Sequence, residues 1–289
     1  LRFCELLEAG KFGVHADGGS TVLLRDCTID SSKSHGAYLA GDAKSSLMHN
    51  NILGAGGSGI YLDQAPDAYL SGNVITEAEA YGIMCKASDR SVLLSNSITG
   101  SARQGIFVQS SQDCQVFGNT VRQSLYDALL LEGVEGGETS AEVVGNVLAV
   151  SDSAAPTYYD LRCGKFTVNT TISGNLLQNH DYKQSKDGTS GIKYEESKAL
   201  PDKCRVKFDG NGVSWSGEAM TCRVGEKFAN LPKIDMGTKV FSGWALDADG
   251  NCPIGDEDVV PPVSQMTLYA RWNREGVSSY WIGFNLRGG

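Results

Sequence analysis

Gly59-Ile60-Tyr61-Leu62-Asp63, Gly82-Ile83-Met84-Cys85-Lys86 and Gly105-Ile106-Phe107-Val108-Gln109 are one pattern written three times at a 23-residue interval. The glycine column runs back through Gly36 to Gly13 and forward to Ala128. Two apolar columns keep the same period: Leu24, Leu47, Leu70, Leu93 and Val116, then Ile29, Ile52, Ile75, Ile98 and Val121. Between them runs a polar column of Asn50, Asn73, Asn96 and Asn119, extended with irregular spacing by Asn146 and Asn175, and occupied at its start by Cys4 and Cys27. Within each unit the apolar residues alternate, which is strand spacing. A unit this short cannot hold two packed helices, and its glycines and β-branched residues oppose helix. Three short strands per unit fit, each unit stacking on the last at the strand spacing of about 4.8 Å. Equivalent residues then form ladders: aliphatic columns inside, amides at one turn.

The composition agrees. Glycine contributes 35 of 289 residues, well above the usual ~7%, and is assigned to tight turns. A net charge of −9 opposes nucleic acid as a partner, and no apolar run approaches the ~18 residues of a membrane span. The chain starts Leu1-Arg2-Phe3-Cys4, without Met or a signal peptide, and reads as an excised or incomplete fragment. The period loosens after residue 128: Asn119 to Asn146 is 27 residues and Asn146 to Asn175 is 29, with a polar bulge at 133–142 and a polar loop at 178–190. Such insertions mark loops on one side of a solenoid.

The N-x-[IV] turn followed by G-I-x-L, repeated through residues 1–196, resembles the right-handed parallel β-helix of the pectate-lyase-like superfamily. The expected fold is all-β: about seven coils over residues 1–198, a linker at 199–203, and a small second module at 204–272. Residues 273–289 form a tail or begin a further module. In the second module the period is gone, and five of the seven prolines lie beyond residue 200. Val206-Lys207-Phe208-Asp209-Gly210-Asn211-Gly212, Val224-Gly225-Glu226-Lys227-Phe228, Phe241-Ser242-Gly243-Trp244 and Thr267-Leu268-Tyr269-Ala270-Arg271-Trp272 follow in an order that resembles a single Listeria–Bacteroides (internalin B-type) repeat. That resemblance implies a β-grasp-like unit of secreted and surface proteins of bacteria. The spacer at 214–218 and the cysteines Cys204, Cys222 and Cys252 depart from it.

The eight cysteines include no C-x-x-C pair, and the four histidines show no ligand spacing, so neither a metal nor a cofactor is expected. Cys4 and Cys27, one coil apart in the amide column, are read either as a disulfide stapling the end of the solenoid or as two thiols replacing asparagines. Polygalacturonase relatives carry N-T-D and H-G-x-G turns, and neither occurs here.

On the strand that each repeat glycine opens, alternate residues must face outward. One outward column reads His15, Tyr38, Tyr61, Met84, Phe107, Leu130; the next reads Asp17, Ala40, Asp63, Lys86, Gln109, Glu132. Aromatic faces beside carboxylate, amide and amine groups suit sugar rings. The expected ligand site is therefore Tyr38, Tyr61 and Phe107 with Asp17, Asp63, Lys86 and Gln109, unless a loop or the second module covers the stripe. If the face is catalytic, Asp63 or Lys86 would be the base and Arg103 would hold a uronate carboxylate, as in a polysaccharide lyase. A glycoside hydrolase needs two carboxyl groups instead, and Asp17 and Asp63 stand about 9.6 Å apart along the axis. The reading is an extracellular or cell-surface bacterial protein, a monomer, recognising a polysaccharide or surface glycan; a lyase or hydrolase and a bare structural stalk are its rivals.

Overall fold

The computed structural model describes residues 1–41, 45–215, 217–235, 239–255 and 257–273. The tail expected from residue 273 lies outside them, apart from Asn273 itself, and so does Ser216 of the spacer.

Each coil is three short strands, and the coils stack into three parallel sheets of eight strands each among the described residues. That is one coil more than the sequence led us to expect. One sheet, here the amide-flanked sheet, runs from Glu5–Leu7 to Leu176–Leu177; the glycine-led sheet runs from Val14–Ala16 to Tyr182–Gln184; the docking sheet runs from Leu23–Arg25 to Lys193–Tyr194. Register is direct: Ile75 pairs with Ile52 and Ile98, and Leu62 with Leu39 and Cys85. The inward columns, including Leu24, Leu47, Leu70 and Leu93 and the isoleucines Ile29, Ile52, Ile75 and Ile98, form one continuous buried core.

The amide column is a ladder of bonds. Asn73 Nδ2 donates to Asn96 Oδ1 at 2.9 Å and to Leu47 O at 2.9 Å, while the Asn73 backbone N–H also donates to Asn96 Oδ1. The same contacts repeat from Asn50 to Asn175, across both long coils. The insertions therefore bulge without breaking the stack. At the open end the ladder finishes on sulfur: Cys27 N–H donates to Asn50 Oδ1, and Cys4 N–H donates to Cys27 Sγ at 3.4 Å. Both thiols are free, so of the two readings the disulfide is not the one the structure takes.

The C-terminal residues form a mixed sheet of five strands, ordered Met220–Arg223, Lys203–Asp209, Gln265–Asn273, Val240–Ala245, Pro253–Ile254. Lys203–Asp209 and Gln265–Asn273 run parallel, and the other neighbours are antiparallel. Trp244 is buried against Phe208, Trp215 and Phe241 and gives its indole N–H to Pro232 O at 2.8 Å. A unit this small needs such anchors.

This sheet shares its core with the solenoid. Met48, Tyr69, Val92 and Leu94, pointing outward from the docking sheet, are buried in one cluster with Cys204, Val206, Ile254, Val260 and Val263. Tyr69 O–H donates to Pro253 O, and the buried Asp258 carboxylate meets His49 Nε2 at 3.1 Å and Ser71 Oγ at 3.4 Å. Two glycines permit the approach. At Gly145, φ is +68° and a Cβ would lie 2.1 Å from Pro262 O; at Gly118, φ is +64° and a Cβ would lie 2.7 Å from Pro262 Cδ. Gly145→Ala thus combines left-handed strain with a backbone clash, and is expected to cost about 2–4 kcal/mol. Limited proteolysis between residues 195 and 202 should accelerate in this variant as the sheet loosens from the solenoid; an unchanged cleavage rate would contradict the shared core.

Candidate functional site

The glycine-led sheet is the face that the C-terminal sheet leaves alone. Its outward columns form ladders as the alternation requires. Tyr38 pairs with Tyr61, Tyr61 with Met84, Met84 with Phe107, and Phe107 with Leu130. The next column stacks Ala40, Asp63, Lys86, Gln109 and Glu132 in the same way.

The stripe divides into two stretches. Met84, Phe107 and Leu130 are buried as a cluster, with Tyr81 lying 5.7 Å from the Phe107 ring. Phe107 is therefore not the open ligand contact expected of it. Its neighbours one coil above and below are large, and Tyr81 closes over it from the preceding turn. Tyr38 and Tyr61 stay half-buried.

Around these two tyrosines the sequence reading missed two partners. Phe12 stacks on Tyr38 at 5.0 Å, and His35 lies 4.9 Å from Tyr61 and 5.6 Å from Tyr38. Both sit immediately before a repeat glycine, a column that was there to be read. The His35 Nδ1 accepts the Ser58 backbone N–H at 2.9 Å, which leaves a proton for Nε2 in the neutral ring. Burial lowers the His35 pKa and so favours that neutral form. His15 extends the aromatic group 5.5 Å from Tyr38, with its Nε2 3.6 Å from Asp17.

The polar column lies alongside. Tyr38 O–H donates to Asp63 Oδ2 at 3.1 Å, and Lys86 Nζ sits 3.5 Å from Asp63 Oδ1. Burial, then the Asp63 carboxylate, raise the Tyr38 and Tyr61 phenols, so both remain protonated donors. Asp63 and Lys86 are thus brought together as the sequence suggested. Arg103 is engaged elsewhere: its Nη1 donates to Tyr81 O–H at 2.9 Å, and its guanidinium lies 5.6 Å from that ring. The three catalytic candidates do not converge as one group. Asp63 is held by a phenol on one oxygen and faces an ammonium on the other.

At the far end of the sheet, Arg162 pairs with Leu130 and continues the outward column past Phe107. It lies 3.8 Å from the buried Asp127, which precedes Ala128 in the column that includes Phe12 and His35. Neither was singled out from sequence. Arg162 follows the insertion, so counting by 23 could not align it. No group of three or more His, Cys, Asp or Glu side chains able to hold a metal ion occurs among the described residues, and no helix there is long and apolar enough to cross a membrane.

The family described as a right handed beta helix region matches residues 2–177. No curated protein matches the chain in sequence. Among solved structures, a periplasmic alginate epimerase, AlgG, is 15% identical, covering 66% of this chain and 44% of its own, with a TM-score of 0.50. The enzymatically active domain of bacteriophage CBA120 tailspike protein 2 is 10% identical over 81% of this chain and 35% of its own, also at 0.50. The A-module of the Azotobacter vinelandii mannuronan C-5 epimerase AlgE6 is 17% identical over 67% of this chain and 58% of its own, at 0.46. The chain thus spans under half the length of AlgG, and at these identities the likeness is one of fold.

Proposed function

The chain belongs to the right-handed β-helix family, and we propose that it is an exported, cell-surface protein that recognises a glycan on its glycine-led face. The observation that carries this reading is the half-open tyrosine pair, Tyr38 and Tyr61, backed by Phe12 and His35 and bordered by Asp63 and Lys86. Two half-buried tyrosines on neighbouring coils offer apolar ring edges and phenol hydroxyls beside a polar column that supplies acceptor and donor groups for sugar hydroxyls. Asp17 and Gln109 extend that column at either end. The fold is shared with a protein named as an alginate epimerase, which supports a glycan through the fold alone.

The remaining organisation belongs to the same proposal. Residues 204–272 are a Listeria–Bacteroides-type module, set off by 199–203 from the helix of 1–198, and the protein works as a monomer. Docked on another sheet, the module stiffens the solenoid and leaves the tyrosines open.

Tyr61→Ala removes one platform. Its expected effect is a loss of about 10- to 100-fold in affinity for whichever polysaccharide binds the intact chain in a glycan array, in line with about 1–3 kcal/mol for a stacking aromatic. Unchanged affinity in both Tyr61→Ala and Tyr38→Ala would sink this reading and favour a bare stalk.

A further inference from the structure

Two cysteines face each other across the C-terminal sheet. Cys204 lies directly opposite Cys222 in the antiparallel ladder of Lys203–Asp209 and Met220–Arg223. Directly opposite residues share a face of a sheet, and this one is the core side: Cys204 and Val206 are buried, while Met220 and Cys222 pack against the same cluster. Two residues along the ladder, Val224 N–H donates to Asp202 O at 3.0 Å, and the Arg205 N–H turns the other way, to Ser264 O. Cys204 and Cys222 are therefore a hydrogen-bonded pair, whose Cα atoms stand about 5.5 Å apart. That separation is among the commonest across a disulfide. Both thiols are free in the structure.

What the pair encloses gives it a task. Met220–Arg223 is an edge strand, hydrogen-bonded along Lys203–Asp209 alone, and it ends the connection 210–219. That connection brings Trp215 to within 5.6 Å of the buried Trp244 ring. Its near half is pinned: Asn211 Nδ2 donates to Ala270 O at 3.0 Å, and Gly210 O accepts the Trp272 indole N–H at 3.0 Å. Glu218 and Ala219, in the far half, are exposed, and their anchorage is the edge strand itself. The spacer at 214–218 and the two cysteines both depart from the repeat that this sheet resembles, and they meet in one hairpin. Cys252, in the same sheet, stands instead opposite Leu246, whose N–H donates to its carbonyl at 2.9 Å.

We propose that Cys204 and Cys222 form a cross-strand disulfide when the chain meets a small disulfide such as oxidised glutathione, and that this bond fastens the connection 210–219 to the sheet. The proposal rests on the export reading above for the source of its oxidant. In the first step the Cys222 thiolate attacks one sulfur of the oxidant, giving a mixed disulfide and releasing one thiolate. The Cys204 thiolate then attacks Cys222 Sγ, closing the protein bond and releasing the second. Two electrons pass from the protein to the oxidant, and the two protons that the cysteines give up end on the two released thiols.

The order of attack follows from burial. Cys222 is half-buried and is the sulfur that an oxidant reaches first, whereas Cys204 is sealed. Burial, then the Cys222 charge, push Cys204 up to about 11, and burial raises Cys222 as well. Closing the bond asks the Cβ atoms to approach by up to about 1 Å. An edge strand of four residues, hydrogen-bonded along one side, supplies that movement. The closed loop restricts the open state of the hairpin far more than the packed one, so the bond holds the connection down. Cys85, Cys114 and Cys163 offer no comparable route: they lie in the continuous core of the solenoid, where burial pushes Cys114 and Cys163 up to about 12.

The test incubates the full chain with oxidised glutathione, alkylates the remaining thiols and maps peptides without reduction. The expected result is that the Cys204 and Cys222 peptides are joined, lighter by two hydrogen atoms than the reduced pair. Cleavage after Glu218 by a glutamate-specific protease should then be about 10-fold slower than in the reduced chain. Dithiothreitol should restore the faster cut, and Cys222→Ser should be cut at the faster rate with or without oxidant. Free thiols at both positions, glutathione retained on Cys222, or a link from either residue to another cysteine would overturn the pairing. A joined pair cut at the reduced rate would overturn the fastening. The oxidant is supplied and no glycan is read, so each of these failures leaves the exported, glycan-binding reading in place, and loss of glycan binding leaves the pairing in place.

Discussion

Asn96→Ala should cost the protein about 3–6 kcal/mol, measured by chemical denaturation, although it removes only a small polar side chain. The size follows from what the amide holds. Its Oδ1 accepts both the backbone N–H and the Nδ2 of Asn73, and its Nδ2 donates to Leu70 O and Asn119 Oδ1, all near 2.9–3.0 Å. Alanine leaves two donors and a carbonyl without partners, all sealed from water beside a residue only 1% exposed. Each such orphan costs about 1–3 kcal/mol, because the folded state forfeits a bond that the unfolded state recovers from solvent. Position compounds the loss. Asn96 lies in the middle of the stack, and in a solenoid each coil is held only by its neighbours, so one fault weakens two interfaces. Asn51→Ala is the control: that side chain is exposed, and the change should stay within about 0.5 kcal/mol. A loss below about 1 kcal/mol at Asn96 would mean that the ladder is ornamental.

The ladder was legible because the same residue type recurs at one interval, and only a stack brings such residues together. Other features were written in a subtler signal. Ile83-Met84-Cys85, Ile106-Phe107-Val108 and Leu129-Leu130-Leu131 are unbroken apolar runs, which mark strands buried on both faces. In Ile60-Tyr61-Leu62-Asp63 and Ala37-Tyr38-Leu39-Ala40 the outward place goes to an amphipathic tyrosine instead. That contrast separates buried Phe107 from half-open Tyr61, and a reading that took both as aromatic did not use it. Val92-Leu93-Leu94 carries the same double-sided signal on the docking sheet, where Val92 and Leu94 meet the C-terminal residues. Which element would cover that run could not be read, since the partner lies more than a hundred residues away and shares no period with it. Arg162 and Asp127 were out of reach for a related reason. Their proximity depends on how the insertion closes, and inserted length says nothing about register.

The repeat glycines were read as opening a strand in each coil, with the glycine excess as a whole assigned to turns, and the structure gives the column a task with a larger consequence: Gly82→Ala should be among the most damaging single substitutions, at about 4 kcal/mol or more. None of Gly13, Gly36, Gly59, Gly82 and Gly105 has a left-handed φ. What they lack is room. A Cβ on Gly82 would lie 2.6 Å from Gly105 O and 2.3 Å from Ile98 Cγ2. The carbonyl cannot retreat cheaply, because it accepts the Ile83 N–H at 2.8 Å and so ties one coil to the next. Ile98 cannot retreat either, being fully buried in the continuous core. Overpacking with no soft neighbour must be relieved by parting the coils. Gly100 provides the opposite case. Its φ is +77°, but the nearest atom to a Cβ there is 3.6 Å away, so Gly100→Ala should cost only the left-handed penalty of about 1 kcal/mol. Thermal or denaturant melts of the two variants side by side decide the matter: equal losses would mean that lack of room is not what keeps glycine in the column, whereas a several-fold larger loss at Gly82 makes close stacking the reason for it. Ala128 fits the second account. It stands where the next coil presents Asp160 rather than another glycine, beyond the point at which the strict 23-residue stacking has ended.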